Sequence, residues 1–257
     1  MLQYVLKRLL FFIPTLIIIS LVTFALSKMA PGDPVKIALG NRDTGESGSA
    51  NEKIAGEKAY NQMAEELGMH LPNFYFSLTS KAEPDTLYKF LKRTQRENLS
   101  RLIDQYGNWP QISDYFYSIK AVEFALFDVK NDSTSYDASR AVKDNVSALY
   151  VEYKDKQILD KLQDMKASAK SVSNLAEVKL KIDALEASYL HMKESKTTSL
   201  NYIPSIKWYG FNNQYHRWLT NFLKLDFGIS YIDKRPVWSK IKDALPWTLL
   251  LNFFSIF

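Results

Sequence analysis

The stretch that decides the fold is Leu9 to Ser27, LLFFIPTLIIISLVTFALS, a run of 19 residues without a charged side chain. As an α-helix it would be about 28 Å long, close to the roughly 30 Å hydrocarbon core of a bilayer. Lys7 and Arg8 precede it directly, and Pro14 lies in its first third, where a lipid-embedded helix bends rather than breaks. The pattern predicts a transmembrane helix within residues 1–30.

The charges beside this run predict its orientation. Lys7 and Arg8 are followed by no acidic residue before Asp33, so the positive-inside rule places the N-terminus in the cytoplasm and residues 31–245 outside it. A signal peptide cleaved near Ser27 is the alternative, because a small-x-small sequence occurs there. The apolar run exceeds the roughly 7–15 residues usual for a signal peptide, which favours a retained helix.

A second uncharged run closes the sequence. It extends from Pro246 to Phe257, PWTLLLNFFSIF, and is predicted to start another transmembrane helix with Pro246 in its first turn, where proline is tolerated. These residues would reach only about 18 Å, which is too short to cross a bilayer. We therefore interpret the chain as part of a longer multi-spanning protein.

Between the two runs the chain is polar and its charges are balanced. The 257 residues carry 33 basic and 28 acidic side chains, a formal net charge of +5, of which +3 comes from Lys7, Arg8 and Lys28. The remaining charge of +2 is no nucleic-acid-binding footprint, so no nucleic-acid partner is expected. The absence of cysteine excludes disulfides and thiol catalysis.

The polar middle of the chain predicts an all-α fold. Gly40 to Asn51 is a flexible linker by composition, and Gly68 is placed to end the helix that follows it. No glycine or proline interrupts residues 111–203, and no strand pattern competes. Residues 79–207 are therefore predicted to form a helical domain.

Within this domain, apolar residues recur at spacings of three and four. The rhythm runs from Val142 to Tyr153 and, after a slip, from Ile158 to Ala169. It continues beyond the serine-rich connection Ala167 to Ser173. The pattern predicts an antiparallel helical hairpin of coiled-coil type. The second helix carries the clearest set: Leu175, Val178, Ile182, Leu185, Tyr189 and Met192.

An aromatic helix is predicted shortly before the second apolar run. Tyr215, Trp218, Leu219 and Phe222 fall on one face of it. Trp and Tyr are favoured at the membrane–water interface, so residues 208–245 are predicted to form an amphipathic interfacial segment. An ordinary helix packed on its own domain is the alternative.

The sequence contains no pattern of an enzyme site. His70, His191 and His216 belong to no metal-ligand spacing, and no phosphate-binding glycine loop occurs. We expect no catalytic residue, no cofactor and no metal.

Three parts of the sequence resemble one family, the binding-protein-dependent ABC permeases of dipeptide, oligopeptide and nickel importers. The first is Tyr4-x-x-Lys7-Arg8 followed by an apolar run that closes on Pro31-Gly32-Asp33-Pro34. The second is Leu67 to Tyr75, LGMHLPNFY, which is similar to an element of the family's first external loop. The third lies between Tyr215 and Leu251; its motif residues include Asp226, Gly228, Ser230, Arg235, Pro236, Pro246 and Thr248.

The resemblance implies a permease subunit of the bacterial inner membrane rather than an enzyme. It also implies a second permease subunit, two ATP-binding cassette ATPases and an extracytoplasmic solute-binding protein as partners. Residues 79–207 have no counterpart in the usual loop and are predicted to be an insertion. A membrane-anchored extracytoplasmic adaptor without a transport role is the alternative. The predicted segments are a first transmembrane helix (1–30), a linker with the first external-loop helix (31–78) and an inserted helical domain (79–207). An amphipathic interfacial segment (208–245) and the start of a second transmembrane helix (246–257) follow.

Overall fold

The computed structural model describes residues 2–40, 50–127, 129, 135–170, 175–230, 233 and 235–256. Helices dominate these residues, and the prediction of an all-α fold is confirmed. Most of the predicted linker (41–49) and the last three residues of the serine-rich hairpin connection (171–173) lie outside the described residues.

The elements follow one another in this order: α1 (Leu2–Met29), α2 (Pro34–Ala38), α3 (Ala50–Glu66), β1 (Phe76–Ser80), α4 (Arg93–Tyr106), α5 (Trp109–Phe127), α6 (Tyr136–Leu149), α7 (Asp155–Lys170), α8 (Ala176–Glu194), β2 (Pro204–Trp208), α9 (Gln214–Leu223) and α10 (Val237–Ile256). Short 3-10 turns at Leu87–Lys89 and Thr198–Tyr202 supplement them. The chain divides into two compact units. Unit 1 comprises Met1–Phe76 and Trp208–Phe257, and unit 2 comprises Ser77–Lys207.

Two short strands occur where no strand was predicted. β1 and β2 form a two-stranded sheet. The amide of Tyr209 donates to the carbonyl of Tyr75, and the amide of Lys81 donates to that of Ile203, so the strands run antiparallel. The partner strands are more than a hundred residues apart in the chain, and each has only five residues. Five residues show too little alternation of apolar and polar side chains to indicate a strand, so neither strand was predicted from the sequence.

Unit 2 is built around a bundle of four helices. α5, α6, α7 and α8 each pack against two others of the set, so the neighbouring helices α7 and α8 belong to a bundle of four helices. The apolar positions predicted for α8 are buried, among them Leu185 and Met192 at 0% exposure. On the surface, the ammonium of Lys166 on α7 lies 2.9 Å from a carboxylate oxygen of Asp183 on α8. The bundle core therefore uses the residues that the spacing selected.

The apolar rhythm from Val142 to Ala169 belongs to two helices instead of one. α6 ends at Leu149 and α7 begins at Asp155. The side-chain amide of Asn98 donates to the carbonyls of Tyr150 and Glu152, each at 3.1 Å, and satisfies backbone groups that the interrupted helix leaves open. The slip in the sequence rhythm coincides with this break.

The predicted position of Pro246 in a first helical turn is wrong. α10 begins at Val237, so Pro246 lies inside the helix. Proline removes the hydrogen bond to the carbonyl of Lys242, and a helix tolerates this where other turns continue on both sides. Residues 237–245 carry three charges and therefore did not look like part of an apolar helix. Beyond Pro246 the large apolar side chains are exposed, including Trp247, Leu249, Leu251, Phe253 and Phe254.

Candidate membrane-associated site

Helix α1 presents a long apolar surface. Its segment Leu10–Met29 is 20 residues long and, among the described residues, is the one helix long and apolar enough to cross a membrane by length and composition. Only 6% of the most apolar 18-residue stretch of this segment is buried. Lys7 and Arg8 are exposed on the turn before the segment, and Pro14 lies within the helix without ending it. Such a surface suits a lipid environment, although a signal sequence has the same composition.

Helix α9 packs directly against α1. The hydroxyl oxygens of Ser20 and Tyr215 lie 2.7 Å apart. One helical turn further along α1, Phe24 is 4% exposed, and its ring centroid lies 5.2 Å from that of Phe74 and 5.4 Å from that of Tyr215. The edge-on ring geometry at both contacts is one that aromatic pairs prefer. These contacts fix α9 beside the second half of α1.

Further ring contacts extend this cluster to the start of α10. Trp218 stacks on Phe222 at 5.6 Å, Phe222 meets Phe227 at 5.5 Å, and Phe227 stacks on Trp238 at 5.6 Å. Because Trp218 also lies 5.8 Å from Phe24, the chain of rings runs from α1 through α9 to α10. We call these rings, together with those of Phe74, Tyr75, Phe211 and Tyr215, the aromatic cluster.

The four residues predicted to lie at the interface occupy different environments. Tyr215 is 3% exposed and contacts α1, whereas Phe222 is 47% exposed. Trp218 and Leu219 are half-buried. The face of α9 therefore serves first as a packing surface for α1, and only its far end is open. The location of this helix at the bilayer interface stays a prediction.

The Pro31-Gly32-Asp33-Pro34 sequence forms the start of α2. The carboxylate of Asp33 accepts a hydrogen bond from the amide of Val35 at 2.9 Å, and Pro34 occupies the first helical position, where a missing N–H costs nothing. The second carboxylate oxygen of Asp33 accepts a hydrogen bond at 2.8 Å from the hydroxyl of Tyr60, which lies on α3. Gly32 has a φ of 107°, which side-chain-bearing residues rarely adopt. The motif thus ends α1 and ties α2 to α3.

The Asp226 to Ser230 motif forms a turn that leads into α10. Asp226 accepts a hydrogen bond from the amide of Gly228 at 3.0 Å, and the amide of Val237 donates to the carbonyl of Gly228 at 2.9 Å. Asp233 pairs with Lys240 at 2.6 Å, and the hydrogen bond from this ammonium group lowers the pKa of the Asp233 carboxyl to about 2.

Two further motif residues lie on α10 itself. Thr248 follows Pro246 by two positions and donates from its hydroxyl to the carbonyl of Ala244 at 3.0 Å. The contacts that these motif residues make support the local fold.

Sequence reasoning missed the residues of α1 that receive α9. Ser20 and Phe24 look like ordinary members of an apolar run, and their partners lie far along the chain. Part of the signal was present in the LGMHLPNFY sequence, since Phe74 and Tyr75 both belong to the cluster. The hydroxyl of Tyr75 lies 3.1 Å from Nδ1 of His216, and burial together with the nearby Tyr215 raises the pKa of Tyr75.

Comparison with known proteins gives a partial match. Over 42 residues the chain is 55% identical to the dipeptide transport system permease protein DppB of Haemophilus influenzae. The matched stretch is 16% of this chain and spans 13% of the length of DppB. No protein-family model matches the chain, and no solved structure matches it significantly. The similarity points to a transport permease, and α1 is consistent with a membrane protein.

Proposed function

We propose that this chain is part of a membrane-spanning permease subunit of an ABC importer, which moves peptides or a related small solute. The observation that carries the proposal is the 55% identity over 42 residues to a dipeptide permease. The exposed apolar segment Leu10–Met29 supports it, because a permease must offer lipid-facing helices. The chain would supply one membrane helix of the translocation subunit, and α10 would continue into a second.

The proposed partners follow from the chemistry of such an importer. A second permease subunit would complete the pathway, two ATP-binding cassette subunits would bind and hydrolyse ATP, and an extracytoplasmic binding protein would deliver the solute. ATP would act by favouring one of two packings of the helices, open to one side or to the other. The permease itself would not be an enzyme.

The proposed location is the bacterial inner membrane with the N-terminus in the cytoplasm. Lys7 and Arg8 support this orientation because they are exposed at the start of the apolar segment. Unit 2 would then lie outside the cytoplasm, where a solute-binding protein docks.

The function is tested in the source organism with a tagged copy of the gene. Purification in mild detergent should recover two ATPase subunits and a second permease in constant ratio. Disruption of the gene should abolish uptake of a labelled dipeptide or a related solute, and the intact gene should restore it. If the purified protein carries no ATPase subunit and the disruption changes the uptake of no peptide or related solute, the permease function is excluded.

A further inference from the structure

Three large aromatic side chains of unit 1 are exposed at neighbouring places in the fold. Phe76 is 56% exposed, Trp208 is 70% exposed and Phe211 is 71% exposed. Single exposed apolar residues are common on soluble proteins, but several large ones in one small region indicate a surface that meets an apolar partner.

Two of these side chains form a pair across the sheet. The hydrogen bond from the amide of Tyr209 to the carbonyl of Tyr75 is 2.8 Å long and sets the register, so Phe76 lies opposite Trp208. Residues at such directly opposed positions point to the same face of the sheet, and in a non-hydrogen-bonded pair their side chains approach closely. Phe76 and Trp208 therefore present one aromatic surface to the outside.

The third side chain belongs to the aromatic cluster that contacts α1. The ring of Phe211 lies 5.8 Å from that of Tyr75, Tyr75 lies 5.9 Å from Tyr215, and Tyr215 lies 5.4 Å from Phe24. Phe24 is five residues before the end of the apolar segment Leu10–Met29, which corresponds to about 7.5 Å along a helix. The ring of Phe211 is thus linked through Tyr75 and Tyr215 to the last turns of α1.

The charged side chain of Lys28 lies near the same end of α1, as expected for a residue at the level of the lipid headgroups. The ammonium of Lys28 lies 5.2 Å from the ring centroid of Phe24 and donates a hydrogen bond to the side chain of Gln214. A lysine at the end of a membrane helix places its charge in the headgroup region while its stem stays along apolar groups. Aromatic rings prefer the same region, since one part of it is apolar and the other is wet.

We propose that Phe76, Trp208 and Phe211 form an aromatic anchor that inserts into the headgroup region of the bilayer around the outer end of α1. The occupant is lipid rather than another protein because Phe211 is joined by ring contacts through Tyr75 and Tyr215 to Phe24 of the membrane-type helix α1. Phe76 follows Tyr75 directly in the chain. The inference rests on the membrane location in the proposed function. It adds a second lipid contact for unit 1, separate from the α9 face that α1 covers.

The chain contains no cysteine, so single labels can be placed at chosen residues. The 257-residue chain is reconstituted into vesicles of phosphatidylethanolamine and phosphatidylglycerol as Phe76→Cys, Trp208→Cys or Phe211→Cys, each carrying a nitroxide. The ratio of collisions with lipid-soluble oxygen to collisions with a water-soluble nickel chelate reports depth. We expect this ratio to be several-fold higher at the three anchor positions than at an aqueous position.

Two control labels separate failure of the anchor from failure of the membrane location. Leu180→Cys on α8 has a similar exposure, 69%, and serves as the aqueous reference. Ile18→Cys on α1 is 61% exposed and serves as the lipid reference. If the Ile18 label is in lipid and the anchor labels match Leu180, the anchor is overturned and the proposed function is not. If the Ile18 label is also aqueous, the membrane location and the anchor both fail.

Discussion

The hydroxyl of Tyr215 lies 2.7 Å from the hydroxyl of Ser20, a residue 195 positions earlier in the chain. Ser20 also donates to the carbonyl of Ile17 at 2.8 Å, and a serine hydroxyl has a single hydrogen, so Tyr215 is the donor between the two. Ser20 lies in the middle of the apolar segment of α1. This contact therefore brings α9 alongside the membrane-type helix, and the rings around Phe24 extend the contact.

Replacing Tyr215 separates the hydrogen bond from the ring packing. Tyr215→Phe keeps the ring and leaves Ser20 with its bond to Ile17, so we expect a loss of only about 0.5–1.5 kcal/mol in the free energy of unfolding. Tyr215→Ala also removes the contacts to Phe24 and Phe74, and should cost about 3–5 kcal/mol. Unfolding in detergent micelles measures both variants.

Tyr202→Phe is the matched control for that measurement, because Tyr202 is 86% exposed. It should leave the free energy of unfolding unchanged. Equal losses for Tyr215→Phe and Tyr215→Ala would show that ring packing contributes nothing at this contact.

Much of the fold was accessible from the sequence where the pattern was long. The residues at spacings of three and four in α8 are buried because a bundle helix hides one stripe, and that stripe repeats along the whole helix. The end of α1 was also visible, since the apolar run closes on Pro31-Gly32-Asp33-Pro34, whose glycine and prolines interrupt a helix.

The rest depended on contacts between distant parts of the chain. Nothing near Ser20 indicates Tyr215, and nothing near Phe76 indicates Trp208, because tertiary pairing leaves no local period. The start of α10 was missed because charged Lys240, Lys242 and Asp243 interrupt the apolar composition without interrupting the helix. Apolar composition therefore identified the apolar second half of α10 but not the residue at which this helix begins.

Unit 2 is expected to fold without unit 1. Its core is continuous from α4 to α8 and is formed by residues between Ala82 and Met192. Residues 77–207 expressed alone should be soluble, show a helical far-UV spectrum and melt in one cooperative transition. A gradual, non-cooperative melt would show that the bundle needs the rest of the chain.

Leu185 tests whether the apolar stripe of α8 forms the bundle core. It is 0% exposed, so Leu185→Asp would bury a carboxylate without a partner and should destabilise residues 77–207 by about 4 kcal/mol or more. Leu180→Asp on the same helix is the control, because Leu180 is 69% exposed. If both variants lost the same free energy of unfolding, the low helix propensity of aspartate rather than burial at position 185 would explain the loss.

The proposed orientation can be tested with reporters fused after Ser195. A reporter active only outside the cytoplasm should be active there, because the positive charges of Lys7 and Arg8 favour a cytoplasmic N-terminus. Reversing both charges to glutamate should reduce that activity and raise the activity of a cytoplasmic reporter at the same place. Lys89→Glu with Lys92→Glu is the control, since these residues lie well beyond the roughly 15–20 residues from a helix end within which charge sets orientation. A cytoplasmic signal in the unaltered chain would reverse the proposed orientation.

The stability of unit 2 should depend on pH through Asp155. Burial of this carboxylate favours its neutral form, but hydrogen bonds from Tyr106 and Lys193 outweigh burial and lower its pKa below the usual value of 3.8. Since the unfolded chain then binds a proton more readily than the folded one, the contribution of Asp155 is present above pH 4 and is lost as the pH falls through the folded pKa.

Asp155→Asn removes this contribution while it keeps the shape of the side chain. The variant should be less stable than the unaltered residues 77–207 at pH 7, and its free energy of unfolding should fall less between pH 5 and pH 2. Asp144→Asn replaces an exposed carboxylate of α6 and serves as the matched control. Urea unfolding at several pH values measures the three curves. If the Asp155→Asn curve runs parallel to that of the unaltered chain, the folded and unfolded states bind this proton equally, and Asp155 does not link stability to pH.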